Sequence, residues 1–89
     1  MVYVDQITSV RINADWPWRE ACHMFCGDED ELHNFARRVG LKRSWFQDLA
    51  RFPHYDLTSG KRKSALQCGA MAVDREFVVT WMRNRHAPE

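Results

Sequence analysis

No stretch of this chain approaches the roughly 18 consecutive apolar residues that a bilayer-spanning helix needs, which excludes a membrane-spanning role. The opening residues, Met1-Val2-Tyr3-Val4-Asp5, lack the basic-then-apolar form of a secretory signal. There is no internal repeat, low-complexity tract or linker, and a length of 89 residues leaves no room for two domains. The three cysteines are an odd number and include no C-x-x-C pair, so neither a disulfide framework nor a structural zinc motif is indicated. Reduced thiols and a cytoplasmic location are expected. A net charge of +1 supplies no global field that would demand nucleic acid or an anionic surface.

The residues that are present suit a small soluble domain. Apolar residues make up 45% of the chain and aromatics 12%, enough for a compact core, while a mean hydropathy of −0.56 requires a strongly polar exterior. Charge is clustered rather than spread. Asp28, Glu29, Asp30 and Glu31 form an acidic knot, and Arg37, Arg38, Lys42, Arg43, Lys61, Arg62 and Lys63 supply cations to the middle of the chain.

Val2-Tyr3-Val4 reads as a strand ending at Asp5, and Ala21 to Cys26 as a second, with His23 and Phe25 on one face and Cys22, Met24 and Cys26 on the other. The region between, about residues 6–20, has no clean period and carries Trp16 and Trp18, so an irregular loop is predicted. Asp28 followed by Glu31 has the form of a capping box. Leu32, Phe35, Ala36 and Val39 then recur at helical spacing before Gly40. Ser44 and Gln47 repeat the box and predict a short helix stopped by Pro53. His54 to Leu57 is predicted to be extended, Thr58 or Ser59 to cap a helix ending at Gly69, and Ala70 to Val73 to form a buried strand. Asp74 caps a last helix with Phe77, Val78, Trp81 and Met82 on its apolar stripe, and residues 86–89 should fray. The fold class is α/β: a single layer of about four strands, at least partly parallel, with three main helices and one short helix.

The segment from His54 to Lys63 sets an imidazole, a carboxylate and three cations around a helix start. Helix starts expose unpaired N–H groups and the positive end of the macrodipole, which together favour anions. Thr58, Lys61 and Arg62 are therefore candidate ligand-binding residues. Cations in a first helical turn oppose the dipole, so a ligand rather than helix stability is expected to account for Lys61 and Arg62. Gly60-Lys61 lacks the first Gly and the following Ser/Thr of a phosphate-binding loop, which argues against an ATPase. His54, Asp56 and His23 are the candidate catalytic residues, His54 or His23 as general acid/base, with Asp5 or Asp56 orienting an imidazole or holding a divalent ion. His33 lies at the edge of its helix's apolar stripe, and His23, His33, His54 and Asp56 are expected to converge at one end of the sheet. Cys22 and Cys26 share a strand face about 13 Å apart at roughly 3.3 Å per residue, too far for one tetrahedral ion, and His23 points the other way. The spacing names neither a metal nor a cofactor.

Val2-Tyr3-Val4-Asp5, Cys22-His23-Met24, Glu31-Leu32-His33-x-Phe35-Ala36, Gly40-Leu41, Trp45-Phe46-Gln47 and His54-Tyr55-Asp56-Leu57-Thr58 together resemble an uncharacterised family of phages and bacteria, catalogued as domain of unknown function 4031. The resemblance runs from Val2 to about Val73, with Lys61-Arg62, Ala65 and Gly69-Ala70 also in register. It implies a shared polar site at Asp5, His23, Glu31, His33, His54, Tyr55 and Asp56, and by analogy a phage or prophage accessory protein. Arg11–Trp18 and Arg51-Phe52-Pro53 depart from the family pattern.

The expected function is binding of a phosphorylated ligand, a nucleotide or nucleic-acid segment, with phosphoester chemistry at the His/Asp site. Asp5, His33, Tyr55, Thr58, Lys61 and Arg62 would serve as ligand-binding residues. The alternative is a non-catalytic interaction protein that binds a host protein through exposed aromatics such as Trp16 and Trp18.

Overall fold

Side-chain caps start all three helices of the computed structural model, which describes residues 1–85. Asp28 accepts a hydrogen bond from the Glu31 N–H and opens α1, Glu29–Val39. The Thr58 hydroxyl accepts from the Lys61 N–H and opens α2, Ser59–Gln67. Asp74 accepts from the Phe77 N–H at the start of α3, Arg75–Arg85. In each case a short polar side chain satisfies an N–H that the first helical turn leaves without a partner. Gly40 ends α1 with φ at +90°, in the left-handed region that L side chains resist.

Six strands form the sheet: β1 (Val2–Val4), β2 (Thr8–Ser9), β3 (Glu20–Cys26), β4 (Phe46–Gln47), β5 (His54–Leu57) and β6 (Met71–Ala72). The spatial order is β4-β5-β3-β1-β6, with β2 also paired to β3. β1 runs antiparallel to β3 and parallel to β6, while β3 with β5 and β5 with β4 are antiparallel. The expected α/β layer with partial parallel pairing is present, and β2 and β4 are the additions. The frayed tail expected at residues 86–89 lies outside the described residues.

Two segments differ from their predicted form. Residues 6–20, irregular over most of their length, include a short β arm: Thr8 and Ser9 pair with Ala21 and Glu20, and the Val10 N–H donates to the Arg19 carbonyl at 2.9 Å. Its tip is closed by Asn13, whose side-chain oxygen accepts from the N–H groups of Asp15 and Trp16. Residues 43–47 are a single 3₁₀ turn, Arg43–Trp45, leading directly into β4. A longer helix would carry Phe46 away from β5, whereas as a strand residue it pairs with Tyr55 and sets its ring 4.6 Å from His33 and 5.5 Å from Tyr55, centroid to centroid. Tertiary packing overrides the local helical pattern.

The sheet has two unlike faces. Val2, Val4, Cys22, Met24, Cys26, Tyr55 and Leu57 form a closed core with Leu32, Phe35, Ala36 and Val39 of α1 and Ala65 of α2. On the other face Phe25, Phe52 and Val78 make a smaller cluster with Tyr3, Val73, Trp81 and Met82, covered by α3. A row of rings runs across this second face, from Trp81 and Phe77 through Tyr3 and Phe25 to Phe52. Beyond Phe52 come His23 and His54.

Candidate functional site

Alternation along β5 puts His54 and Asp56 on the face opposite Tyr55 and Leu57. Register then brings His23 of β3 directly across from Asp56. His23 Nε2 lies 3.9 Å and His54 Nε2 3.2 Å from the same Asp56 oxygen, and the two imidazole centroids are 4.8 Å apart at nearly a right angle. Phe52 closes the group from the core side, stacking on His54 at 4.8 Å and meeting His23 edge-on at 5.2 Å. His54 is buried, the one polar or charged side chain in that class among the described residues, while His23 and Asp56 are 40% and 32% exposed.

Each imidazole is held by its other nitrogen. His54 Nδ1 is 2.6 Å from the Phe52 carbonyl, an atom that only accepts, so Nδ1 carries the proton and donates. His23 Nδ1 donates to Asp5 at 2.7 Å, and the other Asp5 oxygen accepts from the His23 backbone N–H at 2.6 Å. This double grip is made possible by a bulge: the pairing with β3 shifts by one residue between Val4↔Met24 and Thr8↔Ala21, and Asp5 falls in the shift. Arg62 holds the bulge from behind, its Nε donating to the Asp5 carbonyl at 2.8 Å. The Nε2 atoms of both imidazoles are thereby turned toward Asp56.

The electrostatics follow this geometry. The hydrogen bond that His23 donates to Asp5 raises the His23 pKa against the opposing effect of burial, with the Asp5 and Asp56 charges adding to it. His54 beside Asp56 lowers the Asp56 pKa, again against desolvation. Behind the pair, burial pushes the Cys22 thiol up to about 12, so it is an inert part of the core. Cys22, Cys26 and Cys68 are all free thiols.

His23 and Asp56 open onto a cleft of about 910 Å³, whose walls include Trp16 and Trp18 from the β arm, Trp45, and Thr58 and Lys61 from the start of α2. His23, His54 and Asp56 therefore come together, on a face of the sheet rather than at its end and with Asp5 beside them, whereas His33 does not join them. The latter projects from α1 to the opposite face of the sheet, where its Nδ1 meets the Tyr55 hydroxyl at 2.8 Å and its Nε2 the Glu29 carboxylate at 3.2 Å. Tyr55 is buried there and points away from the cleft. A residue at the boundary of a helical stripe can face either side of the sheet, and Tyr55, one position out of phase with His54 and Asp56, takes His33 with it.

Lys61 and Arg62 also differ from expectation, because both have partners within the fold. Lys61 Nζ donates to the carbonyls of Val39 and Gly40 at 3.3 and 3.5 Å, completing the C-terminus of α1. A Cβ at Gly40 would lie 3.0 Å from that Nζ. The unfavourable position on α2 is offset by a favourable one on α1, where a cation meets the negative end of the helix. Thr58 is likewise committed as a cap, although it borders the cleft. Sequence reasoning missed Phe52, whose ring and carbonyl both fix His54. Its place two residues before His54 on an extended stretch ahead of Pro53 was the available signal.

Taken together, these features define a small α/β domain with a His/Asp cluster on one face of a mixed sheet. The chain belongs to the family described as a protein of unknown function, DUF4031, whose model matches residues 2–85. It is also similar to an uncharacterised protein, YneQ, of Bacillus subtilis (strain 168), at 36% identity over 42 residues. That match covers 47% of this chain and 42% of the relative, so the chain aligns with less than half of that protein's length. No solved structure matches.

Proposed function

We propose that this chain binds a phosphorylated ligand, a nucleotide or a short nucleic-acid segment, in the cleft beside His23 and Asp56, and that the His/Asp cluster acts on a phosphoester bond there. The observation that carries this reading is the mixture of groups that line one cleft: an imidazole and a carboxylate, three tryptophans, and Thr58 and Lys61 at a helix start. Bases stack on exposed indoles at about 1–3 kcal/mol per base, and Trp18 is 49% exposed with its ring 4.7 Å from that of Trp16. The end of α2 that borders the cleft favours an anion. In the proposed reaction water adds to phosphorus, the new P–O bond forms as the ester P–O bond breaks, the water's proton passes to solvent in the open cleft, and the leaving oxygen takes a proton from solvent.

A phage or prophage accessory role in the cytoplasm fits this reading. Free thiols accord with a reducing compartment, and among the described residues no helix is long and apolar enough to cross a membrane. The rival, a non-catalytic protein that captures a host protein through Trp16 and Trp18, is less favoured because those rings line the same cleft as the polar cluster rather than a separate apolar patch.

Thermal denaturation of the full chain with mononucleotides, inorganic phosphate and a short single-stranded oligonucleotide tests the binding half. A ligand at 100 times its Kd stabilises by roughly 2.7 kcal/mol, and Trp18→Ala should reduce the shift for nucleotides more than for phosphate. Hydrolysis of bis(p-nitrophenyl) phosphate, lost in Asp56→Asn, tests the catalytic half. A melting temperature indifferent to all three compounds contradicts the reading.

A further inference from the structure

The geometry points to a metal site: we propose that His23 Nε2, His54 Nε2 and an oxygen of Asp56 bind one divalent first-row transition-metal ion, such as zinc or cobalt, with Asp5 positioning His23. The three side chains each offer a ligand atom, all within 4.8 Å of one another. Bonds of about 2.0–2.2 Å to nitrogen and oxygen set tetrahedral ligands roughly 3.3–3.6 Å apart. His54 Nε2 and the Asp56 oxygen, at 3.2 Å, are already close to that spacing, while His23 Nε2 is 3.9 Å from the same oxygen and the group spans at most 4.8 Å, so the half-buried His23 ring must draw inward to complete the set.

The partners of the two imidazoles favour an ion as well. A metal-binding imidazole characteristically donates its other N–H to a carboxylate or a backbone carbonyl, which fixes the ring and its tautomer. Both arrangements occur here, Asp5 on His23 and the Phe52 carbonyl on His54, and they point both free nitrogens the same way. His33 also meets a carboxylate, Glu29, but its other nitrogen is taken by the Tyr55 hydroxyl on the far face, so neither nitrogen is left for an ion. Two imidazoles and one carboxylate suit zinc, cobalt, nickel or manganese better than magnesium or calcium, which prefer oxygen. Three protein ligands leave a coordination position free, and because His23 and Asp56 border the cleft it opens toward solvent. With an ion in place the imidazoles act as ligands rather than as proton carriers.

The site does not depend on what ligand the cleft accepts, and the test separates the two. The full chain, stripped with EDTA, is titrated with Co²⁺ and Zn²⁺. One equivalent should bind, with visible d–d absorption and no thiolate charge-transfer band, since the set contains no sulfur. Asp56→Asn and His23→Gln should each weaken Co²⁺ binding at least 10-fold, whereas His33→Gln should leave it unchanged. Asp5→Asn should weaken it by roughly 10–100-fold, and should also shift the ring ¹⁵N resonances of His23, a signature that a purely structural role would not move. Should a variant fail to fold, the unaltered chain decides: Co²⁺ must shift the ring protons of His23 and His54 far more than those of His33. Absence of binding, a thiolate band, unchanged affinity in folded His23→Gln and Asp56→Asn, or Co²⁺-induced shifts centred on His33 overturns the proposal. Uptake of metal without binding of any phosphate compound removes the reading of the preceding subsection and leaves this one standing.

Discussion

Four consecutive residues of β5 face two different environments. Tyr55 and Leu57 enter a closed core beneath α1 and α2, where packing decides everything and even the tyrosine hydroxyl has a partner in His33. His54 and Asp56, on the other face, lie where α3 no longer covers the sheet. Aromatic packing there stops at Phe52 and gives way to imidazoles and carboxylates. Both faces contain a histidine beside a strand residue, yet the two arrangements differ in kind. His33 satisfies a buried hydroxyl, a task completed by the fold itself, whereas His23 and His54 are each fixed at one nitrogen and left with the other facing a carboxylate that borders a cleft. The difference teaches that polar residues recurring along one chain can serve two unrelated purposes, and that strand phase separates them.

The largest effect that separates the faces is core truncation. Leu57→Ala should cost about 2–5 kcal/mol, since it empties a fully buried position, whereas Asp56→Asn, one residue away, should leave the fold in place while abolishing metal binding. Chemical denaturation of both variants checks this, and comparable losses of stability would erase the contrast. Next is the pair Lys61→Gln and Arg62→Gln. Charged hydrogen bonds to the α1 C-terminus and to the Asp5 carbonyl are lost, at about 1.5–3 kcal/mol for a charged partner, with the larger share at Arg62, whose bond is the shorter. A double variant as stable as the parent would return these cations to a ligand-binding role. Tyr55→Phe comes third. It removes one hydroxyl from the closed face and should cost about 0.5–1.5 kcal/mol with no change in Co²⁺ affinity.

The smallest effect is a pH dependence of the metal-free chain. His23 has a raised pKa in the folded state, so its contribution to stability is complete below the ordinary imidazole value of about 6.5 and is lost as pH climbs through the raised value. Asp56 has a lowered pKa, so its contribution is complete above the ordinary aspartate value of about 3.9 and is lost as pH falls through the lowered value. The side chains facing His23 are the Asp5 and Asp56 carboxylates and the His54 imidazole. The cluster should therefore stabilise the chain most between about pH 4 and 6.5, and Asp5→Asn should flatten the alkaline side of the profile. Melting temperatures measured with EDTA across that range check it.

Much of the framework was legible because it is written locally. Asp28, Thr58 and Asp74 each announce a helix within three residues, and Gly40 its end. Pro53 marks His54–Leu57 as extended, and on a strand an i, i+2 pair such as His54 and Asp56 shares a face. What was not legible depends on contacts distant in sequence. β2 and β4 are two residues long, and nothing local distinguishes them from loop or helix; their strand partners define them. The grip of Asp5 on His23 requires the bulge between β1 and β2, which only the register with β3 reveals. His33 was grouped with the other histidines because the pattern of its helix gives a boundary position but not the sheet face onto which α1 packs.

The most direct measurement is a long-range ¹H–¹⁵N spectrum of the histidine rings of the full chain, free of metal and at a pH where the imidazoles are neutral. His23 and His54 should appear as the Nδ1–H tautomer, the minor form in free histidine, because Asp5 and the Phe52 carbonyl take that proton. His33 should appear as the Nε2–H tautomer, donating to Glu29 and accepting from the Tyr55 hydroxyl. Nε2–H tautomers at His23 and His54 would contradict the account, since the nitrogens assigned to face Asp56 and a bound ion would then already carry protons.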